Sequence, residues 1–209
     1  MSAIICPTIT ASNPHEYRAQ LERITPFAER IHVDFMDGEF AHPKSISLVE
    51  AHWPRNIKAD LHLMYRRPAK YLHVLQSLRP FTVIVHAEAD GDFMELAASL
   101  HEAGLGVGLA LLPETSVDAV APALPVIDHV LVFSGHLGHQ GGVADMALLT
   151  KVRELRQRKP ELEIGWDGGV NISNVWRLAD NGVNVLNVGG FIQHAVDPAN
   201  AYATLEALT

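Results

Sequence analysis

Apolar, β-branched stretches recur along the chain at a regular interval: AIICPTI (3–9), IHVDFM (31–36), IKADLHLM (57–64), FTVIVHAE (81–88), LGVGLALL (105–112), HVLVFS (129–134), LEIGW (162–166) and VNVLNV (183–188). Between them lie segments whose apolar residues recur at helical spacing, among them 14–30, 92–104, 144–159 and 174–182. Asn13 ahead of Pro14 and Asn171 ahead of the last segment are placed as N-cap or turn residues, and Gly182 as that segment's C-cap. Eight strands alternating with helices, with no linker or low-complexity tract, predict a single (β/α)8 TIM barrel over residues 1–209. An open doubly wound sheet would also alternate, but it has no need of a count of eight.

The strands carry polar residues where a barrel would put chemistry. The period of two sends His32, Asp34 and Met36 to one face of the second strand and Val33 and Phe35 to the other. In the third strand Asp60, His62 and Met64 share a face, opposite Leu61 and Leu63. The fourth ends in VHAEA, with His86 and Glu88 alternating, and the seventh runs into WDGGV, which sets Asp167 before a glycine turn. Barrel enzymes carry their active sites at the C-terminal ends of the strands, so these positions are candidates.

Taken singly, each has a plain structural explanation: an inward histidine is often a hydrogen-bonded core residue, and an aspartate before a turn is often a cap. Together they ask for more. Burying Asp34, Asp167, His32 and His62 side by side leaves uncompensated charge in a dry interior, which one divalent cation would satisfy. Two neutral imidazoles and two carboxylates suit Zn²⁺, Mn²⁺, Fe²⁺ or Co²⁺, and ligand type alone does not choose among them.

Composition narrows the partners. At 209 residues and 48% hydrophobic content the chain can bury one sizeable core. A net charge of -8, with 16 Lys and Arg spread along the chain, argues against nucleic acid, whereas an anionic small substrate can be held by local backbone N–H groups. The single cysteine, Cys6, is expected as a buried strand residue in a reducing compartment. No basic n-region with an apolar h-region follows Met1, and no apolar run approaches the roughly 18 residues of a membrane span, so a soluble cytoplasmic protein is expected.

HVDFMDG, LHLM, HAEA, GLALLPET and WDGGV, in this order and at these strand ends, resemble the ribulose-phosphate 3-epimerase family of barrel enzymes. That family interconverts ribulose 5-phosphate and xylulose 5-phosphate, and relatives act on other ketose phosphates. The resemblance implies one divalent metal ion (Zn, Mn, Fe or Co) on His32, Asp34, His62 and Asp167, with Asp34 and Asp167 also serving as the acid/base pair. It further implies that a metal on the C2 carbonyl and C3 hydroxyl stabilises the enediolate left when the C3 proton departs. Inversion then needs one carboxylate on each side. Met36 and Met64 would cover the planar intermediate, although ordinary core filling explains them as well. Thr8 takes the place of a substrate-contacting Ser, and Asp37 and Gly38 shape the following turn. The family also implies a homo-oligomer, a dimer or a hexamer.

The match departs from the family around the substrate. The loop after the sixth strand reads SGHLGHQGGVAD in place of a sequence close to Pro-Gly-Phe-Gly-Gly-Gln. Gly138, Gly141 and Gly142 still allow a nest of backbone N–H groups, while His136 and His139 are added, as substrate contacts or as solvated loop residues. His86 is a further candidate contact. The eighth strand ends NVGGFI where the family has Gly-Ser, leaving Gly189 and Gly190, with Gly168 and Gly169, as the expected phosphate site at the mouths of strands seven and eight. Phe133 replaces a third methionine. The reading that follows is a metal-dependent 3-epimerase of a ketose phosphate, with ribulose 5-phosphate the first substrate and a tetrulose or hexulose phosphate the alternative. Two others stay open: a different enediolate reaction, such as aldose–ketose isomerisation or retro-aldol cleavage, and a sugar-phosphate-binding barrel without turnover.

Overall fold

The computed structural model describes residues 3–139 and 141–209. Eight strands, β1 Ile4–Thr10, β2 Arg30–Met36, β3 Lys58–Met64, β4 Thr82–His86, β5 Gly106–Leu111, β6 His129–Phe133, β7 Glu163–Asp167 and β8 Val185–Val188, pair in chain order and close β8 onto β1. Every pairing is parallel. The open-sheet alternative is therefore set aside. The connecting helices are α1 Pro14–Ile24, α2 Leu72–Leu78, α3 Phe93–Glu102, α4 Val117–Val120, α5 Leu149–Arg158, α6 Val175–Asp180, α7 Gly190–Gln193 and α8 Pro198–Glu206. Between β2 and β3 the described chain makes only a 3-10 turn, Leu48–Glu50.

Boundaries differ from the sequence expectations for local reasons. The helix expected over 14–30 stops at Ile24, because Pro26 has no N–H to continue the ladder, and Phe27 and Ala28 donate instead to the Ile24 carbonyl. Asn13 does cap it, its side chain accepting from the Glu16 N–H at 2.9 Å. Asn171 makes a turn in which its side chain accepts from Ser173, and Asn174 holds the cap position of α6. Gly182 follows α6 at a φ of +95°, one residue past the cap. Asp37 ties its turn as expected, accepting from the N–H groups of Glu39, Phe40 and Arg66.

Two apolar regions hold the barrel. Outward-facing strand residues such as Val33, Phe35, Leu61, Leu63 and Trp166 are buried against the helices, each contributing about 1.5–3 kcal/mol from burial. Inside, β4, β5 and β6 supply the apolar cluster Ile84, Ala110 and Leu131. Cys6 is buried and free, as its strand position suggested. Gly165 has a spatial role: a Cβ there would lie 2.5 Å from His129 Nε2, so the glycine makes room for an inward imidazole. At the base of the barrel Arg30 donates to Asp60 at 2.7 Å and grips Glu163 with two bonds of 2.7 and 2.8 Å, while His129 Nδ1 lies 2.8 Å from Glu163. Among the described residues no helix is long and apolar enough to cross a membrane.

Candidate metal centre and substrate cavity

The register that pairs Asp34 with His62 and Met36 with Met64 brings the polar residues of β2 and β3 to one level near the barrel mouth. Asp167, the last residue of β7, reaches the same point from across the barrel. His32 Nε2 and His62 Nδ1 lie 3.1 and 3.0 Å from one oxygen, Asp34 Oδ1, and both stand 3.9 Å from Asp167 Oδ2. One ligand atom from each of the four side chains falls within 4.8 Å of the others. Both imidazoles are fully buried, and the aspartate side chains are 9% and 14% exposed.

The two carboxyl groups sit in unlike fields. Burial would raise the pKa of Asp34, but hydrogen bonding to His32 and His62 outweighs it and holds Asp34 well below the usual carboxylate range. Asp167 is pushed up to about 7 by burial and by the Asp34 charge beside it. Burial lowers His62 to about 3, which keeps it neutral and able to lend a lone pair. The donor set fits a divalent cation: two imidazole nitrogens and two carboxylate oxygens converge on a space of coordination size, and a dication would relieve the repulsion that Asp167 now feels. Thr10 was not singled out in the sequence, yet its hydroxyl donates to Asp34 Oδ2 at 2.6 Å and fixes that carboxylate from the far side.

Above the four residues opens a cavity of about 310 Å³. Asp34, Asp167, Thr8, Thr10, Met64 and Phe133 line its inner part. Gly168, Gly169, Gly189 and Gly190 line one wall, and His136, Gly138, Gly141 and Gly142 of the loop after β6 line another. His139 joins them, and Gln140 of that loop lies outside the described residues. Gly138 is pressed against the segment after β2: its φ is +79°, and a Cβ there would come within 1.6 Å of the His42 carbonyl oxygen.

Two expected contacts stand apart from this wall. Met36 is buried behind Met64 with Ala41, Phe40 and Leu137 packed around the pair. His86 is buried behind His62, its Nε2 2.9 Å from His62 Nε2. Asn187 and His194 are among the wall residues that the sequence reading passed over. Asn187, the partner of Asp167 in the β7–β8 register, is 2% exposed, and neither amide atom has a partner among the described residues. His194 lines the cavity beside Gly190. Thr8 Oγ1 is likewise buried without a partner among the described residues. Asn187 carried a readable signal, a polar residue inside a strand of valines and a leucine.

Fold and site together define a parallel barrel with a candidate metal centre at its C-terminal mouth. A sequence profile of the ribulose-phosphate 3 epimerase family matches residues 4–193, and the chain belongs to that family. It is 30% identical to the ribulose-phosphate 3-epimerase of Schizosaccharomyces pombe, over 98% of this chain and 93% of that protein. It is also 30% identical to the ribulose-phosphate 3-epimerase, cytoplasmic isoform, of Oryza sativa, with the same coverage. The 3-hexulose-6-phosphate synthase structure from Salmonella typhimurium superposes with a TM-score of 0.73 over 100% of this chain and 98% of that one, but at 15% identity it shares the fold alone.

Proposed function

We propose that this protein is a metal-dependent ketose-phosphate 3-epimerase interconverting D-ribulose 5-phosphate and D-xylulose 5-phosphate. The observation that supports this most directly is the pair of carboxylates, Asp34 from β2 and Asp167 from β7, both at the wall of one cavity and both beside the same two imidazoles. One carboxylate takes the C3 proton, and the C–H electrons move into the C2–C3 bond as negative charge builds on the C2 oxygen. The other carboxylate then delivers a proton to the opposite side of C3, and their roles exchange in the reverse direction. A divalent cation on His32, Asp34, His62 and Asp167 would supply Lewis-acid stabilisation of that charge, and the N₂O₂ donor set suits Zn, Mn, Fe or Co alike. The buried Thr8 hydroxyl and Asn187 amide, without partners among the described residues, would bond substrate hydroxyls, satisfying groups that burial otherwise penalises by about 1–3 kcal/mol each. Met64, with Met36 behind it, gives the intermediate an apolar cover, and Gly168, Gly169, Gly189 and Gly190 form the seat for the phosphate. A cytoplasmic location belongs to the same proposal, supported by the Oryza relative, a cytoplasmic isoform.

Proton NMR in D₂O of metal-loaded protein with ribulose 5-phosphate tests the reaction: the C3 proton signal is lost and the xylulose isomer grows in. Absence of exchange with metal bound would overturn the pentose assignment. A second reading, a tetrulose or hexulose phosphate substrate, is favoured by His136, His139 and Phe191 at the cavity wall. A panel of ketose phosphates under the same conditions separates it from a barrel that binds without turnover.

A further inference from the structure

We propose that His86 and Glu88 form a positioning relay that holds His62 in the tautomer whose Nδ1 lone pair faces the four-residue site. The inference rests on the metal-centre reading for its purpose, and on the hydrogen-bond geometry behind His62 for its substance. His62 uses both ring nitrogens: Nδ1 lies 3.0 Å from Asp34 Oδ1, and Nε2 lies 2.9 Å from Nε2 of His86. The Nδ1 of His86 lies 3.3 Å from Glu88 Oε2. A contact of 2.9 Å between two imidazole nitrogens requires one proton between them, and that proton belongs to one ring or the other.

Only two arrangements of neutral rings are consistent with this. In the first, His86 Nδ1–H donates to Glu88, His62 Nε2–H donates to His86, and His62 Nδ1 carries a free lone pair. In the second, every donor is reversed, and His62 Nδ1–H donates to Asp34. A cation can be received only in the first. Asp34 loses little by it, because His32 and the Thr10 hydroxyl still contact its two oxygens at 3.1 and 2.6 Å. Glu88 Oε2, by contrast, has His86 as its one side-chain or backbone partner among the described residues, so the second arrangement would turn a lone pair onto a carboxylate. The rings are closed in by Phe40 and Phe133, whose centroids lie 4.9 and 5.8 Å from that of His86.

The corner that holds Glu88 makes the inference testable. Glu88 Oε1 accepts from the Leu112 N–H at 3.2 Å and from the Thr115 hydroxyl. The carbonyls of Leu112 and Thr115 are in turn both bound by Lys151 Nζ at 2.6 Å. Two donors therefore fix which oxygen points away from His86. In Glu88→Gln the amide oxygen must stay with those donors, so the NH₂ faces His86 Nδ1 and donates to it. The isosteric change reverses the relay and places a proton on His62 Nδ1.

Histidine ring ¹⁵N NMR of the metal-free protein reads the tautomers directly. Wild type is expected to show His86 protonated on Nδ1 and His62 on Nε2, and Glu88→Gln the reverse for both rings. Zn²⁺ affinity by chelator competition is expected to fall about 10–100-fold in Glu88→Gln. Thr115→Val disturbs the same corner without changing which atom faces His86, and should leave the tautomers as in wild type. Identical tautomers in wild type and Glu88→Gln would overturn the relay, as would a reversal that leaves Zn²⁺ affinity unchanged. Tautomer reversal in Glu88→Gln, together with a wild-type protein that takes up no Zn²⁺, would uphold the relay while removing the metal-centre reading.

Discussion

At the base of the barrel β2, β3 and β7 contribute Arg30, Asp60 and Glu163; at the mouth the same strands contribute His32, Asp34, His62 and Asp167. Both clusters hold two carboxylates, and the base adds one inward imidazole, His129, where the mouth has two. They differ in where the positive charge comes from. The base contains its own cation, and the Arg30 guanidinium meets both acids, which matches planar donors to planar acceptors. The mouth has no such cation among its four residues, so Asp167 is pushed up to about 7 while Asp34 stays ionised. A buried charged cluster that closes on itself serves the fold, whereas one that needs an outside cation is poised for chemistry.

That contrast can be broken by substitution, beginning with the largest effect. Asp34→Asn removes one half of the proposed acid/base pair and is expected to lower turnover of ribulose 5-phosphate by about 10³-fold, followed by the same D₂O exchange assay. Arg30→Met leaves Asp60 and Glu163 without their cation and should cost about 3 kcal/mol in denaturant unfolding, the low end for a broken buried pair because the Glu163 side chain is 32% exposed. Its Zn²⁺ affinity should match wild type. A loss of activity greater than its loss of stability would mean that the two ends are coupled.

The pH dependence of the metal-free protein should have opposite signs at the two ends. Asp167 is raised to about 7 from an unfolded value of about 3.9, so its contribution is most favourable below about pH 4 and is lost as pH rises toward 7. Glu163 is lowered: burial opposes its ionisation, but the bonds from Arg30 and His129 outweigh that, so its contribution is present at neutral pH and lost in acid. Asp167→Asn should therefore raise Tm relative to wild type at neutral pH, with the gain shrinking toward pH 4, while Glu163→Gln lowers Tm most at neutral pH. The smallest effect expected is that of Thr10→Val, which deletes the bond to Asp34 Oδ2 and should reduce turnover about tenfold with little change in Tm.

The barrel and its four-residue site were legible because they obey short-range rules. Strand periodicity of two sorts His32, Asp34 and His62 onto the inner face regardless of what lies across the barrel. The base cluster was not legible in the same way. Arg30 precedes the apolar run that marks β2, and its partner Glu163 is 133 residues away, a pairing that only the closed register creates. Thr10 fell one residue beyond the apolar stretch that predicts β1, and a threonine there has no signature apart from its neighbour. His86 was named as a candidate substrate contact, but its placement behind His62 depends on the β3–β4 pairing, which no local pattern contains.

Gly138 has a consequence for how the loop after β6 can change. Every codon one nucleotide from a glycine codon that still encodes an amino acid other than glycine brings a Cβ, and here that atom would strike the His42 carbonyl. Mutational drift is closed at this position unless the loop is reseated, whereas a Cβ at Gly141 or Gly142 would meet nothing within 4 Å among the described residues, where the positive φ restrains change. Change in this loop is therefore expected at His136 and His139, which line the cavity on either side of Gly138, and not at Gly138 itself.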